Sequence, residues 1–115
     1  SLQTLTKGEL VVKLFEEASK QVSMAIFLSN QGNSVSSFNC IVKAHKIIGT
    51  LNNSLDMNYA ISLELNDMYS FLQDKLMEAN GNRDVLLMKE LLHIIDDLKV
   101  TFRQADRLAR ARGFK

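Results

Sequence analysis

The stretch Ala44–Asp56, AHKIIGTLNNSLD, reads as the end of one amphipathic helix and the turn that closes it. Ala44, Ile48 and Leu51 recur at spacings of four and three, the period that lines apolar side chains along one face of a helix. Asn52, Asn53, Ser54 and Asp56 follow. Their short polar side chains hydrogen-bond to nearby backbone and so favour turns over helix interiors. Gly49 stands inside the helical pattern, where a glycine costs about 1 kcal/mol relative to alanine. In a chain without proline, that position asks for close approach by another helix, from a partner or from the protein's own bundle.

The same grammar extends in both directions. The clusters NQGNS at 30–34, NNSLDMN at 52–58 and NGNRD at 80–84 divide the chain into four segments, predicted as helices over approximately 6–31, 34–55, 58–80 and 83–111. Thr6 and Glu9 form a capping box at the first, in which each side chain takes a backbone N–H at the other residue. The second is capped around Ser34, and Asp84 stands near the start of the fourth. The predicted core stripes are Val11, Leu14, Phe15, Ala18, Val22, Ala25 and Ile26 in the first, and Ile41, Ala44, Ile48, Leu51 and Leu55 in the second. The third presents Ile61, Leu65, Met68, Leu72, Leu76 and Ala79, and the fourth Leu87, Leu91, Ile94, Leu98, Phe102 and Ala105. Short connections make successive helices antiparallel neighbours, so the expected fold is all-α, an antiparallel up-down-up-down four-helix bundle forming a single domain over 1–115.

At 115 residues, 46% hydrophobic and 23% charged, the chain is long enough for one modest core. No apolar run approaches the length of about 18 residues that a membrane span needs, and the first eight residues contain no secretory h-region. These features argue against membrane insertion and secretion. Cys40 is the only cysteine, which excludes an internal disulfide, fits a reduced cytoplasmic setting and reads as a small packing residue. The net charge of +1 is unevenly spread, with five basic residues against one acidic residue over 103–115 and nine against twelve elsewhere. That basic stretch reads as a solvated helix end favoured by the helix dipole. With only Phe114 available for stacking, it does not describe a nucleic-acid surface.

Nothing in the pattern describes catalysis or a cofactor site. There is no glycine-rich phosphate loop, nucleophile motif or metal-ligand pair at helical spacing. His45 and His93 lie on different segments and read as boundary residues. Asp96 and Asp97 diverge by about 100° around a helix and read as a solvated face. Tyr59 reads as an interfacial aromatic and Tyr69 as one at the core edge.

Apolar surface remains once the core stripes are assigned. Phe38, Val42, His45 and Gly49 form a weaker stripe beside the one centred on Ile48. On the fourth segment Val85, Met88, Leu92 and Ile95 broaden the face toward the same rotational side. Each is either a wide core face or a binding groove. Two stripes displaced in the same sense on diagonal helices face different neighbours, so they cannot line one groove.

Six short blocks in order carry a family resemblance: Thr6–Val11 (TKGELV), Lys43–Ile48 (KAHKII), Ser54–Asp56 (SLD), Leu65–Tyr69 (LNDMY), Leu76 with Ala79 and Asn80, and Asp84. Together they span about Thr6–Phe102 and resemble the flagellar export chaperone FliS family. Lys7 stands where the family has proline, Phe102 where it has tryptophan, and Met57, Asn58 and Tyr59 where it has a glycine pair. Members usually also carry an aromatic-containing segment ahead of the capping box, where this chain has five residues. The resemblance implies a cytoplasmic four-helix chaperone. Its partner would be the disordered C-terminal segment of flagellin, kept from early polymerisation and delivered to the flagellar type III export gate. A structural adaptor or co-chaperone of the export machinery, with no flagellin client, is the alternative. Both readings expect neither catalysis nor a cofactor.

Overall fold

The computed structural model describes residues 4–113. Each helix starts where local chemistry can take its unpaired N–H groups. In α1 (Lys7–Asn30) the capping box is formed, with Glu9 N–H donating to Thr6 Oγ1 at 3.1 Å and Thr6 N–H donating to Glu9 Oε1 at 3.1 Å. In α2 (Ser34–Asn53) the cap is Asn33, one residue before the expected Ser34, and its Oδ1 accepts from Ser36 N–H. In α4 (Val85–Ala111) Asp84 accepts from Leu87 N–H. For α3 (Ala60–Asn82) the flanking residue Tyr59 offers no side-chain cap. Asp56 organises that turn instead, accepting Asn58 N–H on its carboxylate and Ser62 Oγ–H on its carbonyl at 2.6 Å. The described residues contain these four helices and no strand.

The NGNRD break falls later than its glycine suggests. Gly81 and Asn82 remain helical, and Arg83 takes the left-handed conformation, with φ 51°. Asp84 N–H then donates back to the Ala79 carbonyl at 2.9 Å, which closes the helix end. The turn between α1 and α2 uses Gly32 at φ 78°, the position a left-handed turn asks of glycine.

Consecutive helices run antiparallel. α1 packs closely on both α2 and α4, α2 packs on α3, and α3 meets α4 only sparsely. The core is stitched by Phe15, whose ring lies 6.2 Å from that of Tyr69 and 5.1 Å from that of Phe102. Around it lie Val22, Ile41, Ile48, Leu51, Leu72, Leu76 and Leu91, all buried. Ser37 enters this interior because its hydroxyl donates to the Ala25 carbonyl at 2.7 Å, joining α1 to α2.

The stripes of α1 and α2 lie where the spacing puts them, whereas those of α3 and α4 need correction. Ile61 and Met68, expected inside, are 56% and 38% exposed, while Tyr69 is fully buried rather than at the core edge. On α4 the buried positions are Met88, Leu91 and Ile95; Leu87, Ile94, Leu98 and Phe102 are only partly covered, and Ala105 is exposed. One cause accounts for both. Because α3 leans on α2 and α4 on α1, each buries the side turned toward its close neighbour and leaves open the side turned toward the other.

Candidate protein-binding site

The α2 stripe lies along the seam with α3. Asn80 Nδ2 donates to the Phe38 carbonyl at 3.2 Å and Gln73 Nε2 donates to the His45 carbonyl at 3.3 Å. This antiparallel register sets Val42 level with Leu76, and Met77 follows it on the side of α3 that carries Gln73 and Asn80. Phe38 and Met77 are both exposed and Val42 is half-buried, so this part of the seam presents an apolar lip. Gly49 lies further along it. A Cβ there would stand 2.8 Å from Gln73 Nε2, so the chain's own glutamine amide occupies the space that the glycine leaves.

The α4 stripe divides. Met88 and Ile95 are 1% and 0% exposed, so as groove-lining residues they are corrected to core; Val85 and Leu92 remain half-exposed. Leu92 shares its side of the helix with Asp96 and Arg103, which bind Ser19 Oγ at 2.6 Å and Glu16 at 3.0 Å on α1. The two stripes therefore adjoin different neighbours, α3 for the one and α1 for the other.

The open surface that periodicity missed is the α3–α4 seam. Ile61, Met68 and Phe71 on α3 stand exposed there or beside it, with Leu65 half-buried on the same side. Leu98 and Phe102 of α4 are also partly buried against the core, Phe102 on the ring of Phe15. The available signal was Ser62 and Asn80. Both share a face with Tyr69 and are buried, and a pattern read from large apolar residues passes over them.

Where the α1–α2 and α3–α4 turns meet, Ser29, Ser34, Val35, Phe38, Asn80 and Arg83 surround a pocket of about 200 Å³ floored by Met88. It adjoins the Phe38 end of the α2–α3 lip.

Two titratable groups are shifted by their surroundings. Glu9 is held below the usual carboxylate range, chiefly by the Thr6 backbone hydrogen bond, with Arg110 adding to it. Burial pushes the Tyr69 phenol up to about 12. The basic tail is partly paired, Arg103 with Glu16 and Arg110 with Glu9 and Asp106. Phe114 and Lys115 lie outside the described residues. His45 is half-buried on α2, His93 is exposed on α4, and the described residues hold no cluster of three His, Cys, Asp or Glu side chains suited to a metal ion. No described helix is long and apolar enough to cross a membrane.

A family model described as "Flagellar protein FliS" matches residues 1–109. The chain is also similar to the flagellar secretion chaperone FliS of Bacillus subtilis (strain 168), with 27% identity over 105 residues that cover 91% of this chain and 79% of that protein. A helical bundle with partly open apolar seams, matched by the family over nearly its whole length, places the sequence: the chain belongs to the FliS family of flagellar proteins.

Proposed function

We propose that this protein is a non-catalytic cytoplasmic export chaperone that holds the disordered C-terminal segment of flagellin, prevents its premature polymerisation and helps deliver it to the type III flagellar export machinery. The observation that carries this reading is the arrangement of exposed apolar side chains along the seams on either side of α3: Phe38 and Met77 on one, Ile61, Met68 and Phe71 on the other. A single compact partner cannot reach both seams at once, whereas an extended chain can wrap from one to the other. Such a segment buries its own apolar residues against the bundle, which withdraws them from assembly with other subunits. A disordered client suits this geometry because it covers a large area while its ordering cost is met only on binding. Val85 and Leu92 on the α1 side of α4 offer a further stretch of the same path.

The test is co-purification with flagellin from the same source, full-length and lacking its C-terminal segment. Retention of the full-length protein alone supports the reading. Retention of neither form, or capture of export components without flagellin, would favour the adaptor instead.

A further inference from the structure

The last turns of α4 meet the first turn of α1 through a carboxylate on one helix and a missing side chain on the other. A Cβ built on Gly8 would stand 3.0 Å from Asp106 Cγ and overlap Oδ1, so the glycine makes the room in which the carboxylate lies. The Asp106 side chain is 10% exposed there. An anion beside the start of one helix and a cation near the end of another are both favoured by the helix dipoles. Arg110 supplies the cation: its guanidinium lies 3.1 Å from Asp106 Oδ2 and 3.8 Å from Glu9 Oε2, the carboxylate of the α1 capping box. The other flank of α4 is different. Among the described residues no ion pair or side-chain hydrogen bond joins α4 to α3, and the two helices meet only sparsely. Val11, Phe102, Ala105 and Ala109 line a largely apolar hollow of about 300 Å³ between the ends of α1 and α4, with Gly8 and Asp106 at its edge, and no residue of α3 lines it.

Two neighbours therefore compete for the end of α4. On the α3 side stand Ile61 and Met68, exposed apolar side chains whose burial would favour closing the seam. On the α1 side stand the seat beside Gly8 and the Arg110 pairs. We propose that Gly8, Asp106 and Arg110 are positioning residues for the client: they latch the end of α4 to α1, and so hold open the α3–α4 seam and the hollow at its end, where an apolar side chain of the client inserts. This rests on the function proposed above and adds residues that govern binding through the placement of α4. The Arg110 guanidinium is half-exposed, and exposed ion pairs are weak on their own, so the seat of Asp106 beside Gly8 carries most of the latch. A carboxylate so nearly covered needs a partner, and Arg110 provides it.

The experiment reads the position of the α4 end directly. In the full chain carrying Cys40→Ala, spin labels at Glu64→Cys and Ala111→Cys, both exposed positions, report the distance from α3 to the end of α4. Labels at Asp74→Cys and Lys89→Cys, also exposed, report the other half of the same helix pair. Gly8→Ala, which displaces the carboxylate, and Asp106→Ala, which removes it, should each shorten the Glu64–Ala111 distance and leave the Asp74–Lys89 distance unchanged. Without labels, both variants should bind a synthetic peptide of flagellin's C-terminal segment about tenfold more weakly than the unmodified protein, the loss of one apolar anchor. Arg110→Ala changes a half-exposed side chain, keeps the fold and should give the same shifts in smaller measure. A Glu64–Ala111 distance that stays the same in both Gly8→Ala and Asp106→Ala would overturn the latch, and so would a shortened distance with undiminished binding. If the distance shortens but the unmodified protein binds no flagellin peptide, the latch stands and the chaperone reading falls, so the two fail separately.

Discussion

Gly49 and Gln73 should be energetically coupled, and a double-mutant cycle measures the coupling. Alanine at 49 should add about 1 kcal/mol through helix propensity. Its Cβ would stand 2.8 Å from Gln73 Nε2, closer than a real contact allows, so the amide must swing away. That breaks the 3.3 Å bond to the His45 carbonyl, a loss of about 0.5–1.5 kcal/mol. The two effects oppose, so Gly49→Ala alone should change stability by less than about 1 kcal/mol in either direction. In a Gln73→Ala background the obstacle is absent and the full propensity gain of about 1 kcal/mol should appear. The coupling is the difference, about 0.5–1.5 kcal/mol. Urea denaturation of the four proteins resolves it, since with m of about 1–3 kcal/mol/M a coupling of 1 kcal/mol moves the midpoint by about 0.3–1 M. If Gly49→Ala stabilises both backgrounds equally, within about 0.3 kcal/mol, then Gln73 does not fill the glycine's space, and the helix interruption must serve something outside the bundle.

Leu72 is fully buried, so Leu72→Ala should cost about 2–5 kcal/mol by chemical denaturation; an unchanged midpoint would refute the placement of α3. The Tyr69 phenol is pushed by burial from about 10 to about 12, so its folded form resists ionisation. Stability should be level below pH 10 and fall as pH rises from 10 toward 12, by roughly 2–3 kcal/mol at most, and Tyr69→Phe should flatten that alkaline decline in denaturation midpoints. Val42→Asp and Leu92→Asp alter half-buried positions on different seams. Each should weaken binding of the flagellin segment with circular dichroism unchanged, and halved peptides should show that each affects a different part of the client. Undiminished binding by both would leave these stripes as ordinary bundle surface.

The number of helices, their antiparallel order and most of their ends were legible in the sequence because local chemistry decides them. Thr6 with Glu9, Asp84, and the Asn-Ser-Asp turn after Leu51 act within a few residues of themselves. The stripes of α1 and α2 were legible for a related reason: each of these helices has two close neighbours, which cover the stripe read as core. The rotation of α3 and α4 was not. A periodic pattern gives the width of an apolar face but not which edge of it meets a neighbour, and the edge is set by how closely two helices approach. Ile61 and Met68 have the spacing of core residues yet stand exposed because α4 leans away from them toward α1. Met88 and Ile95, read as groove residues, are buried for the same reason. Gly49 shows the limit at a single position. Its sequence says that something approaches closely; only the fold brings Gln73, distant in the chain, to within 2.8 Å of where its side chain would be.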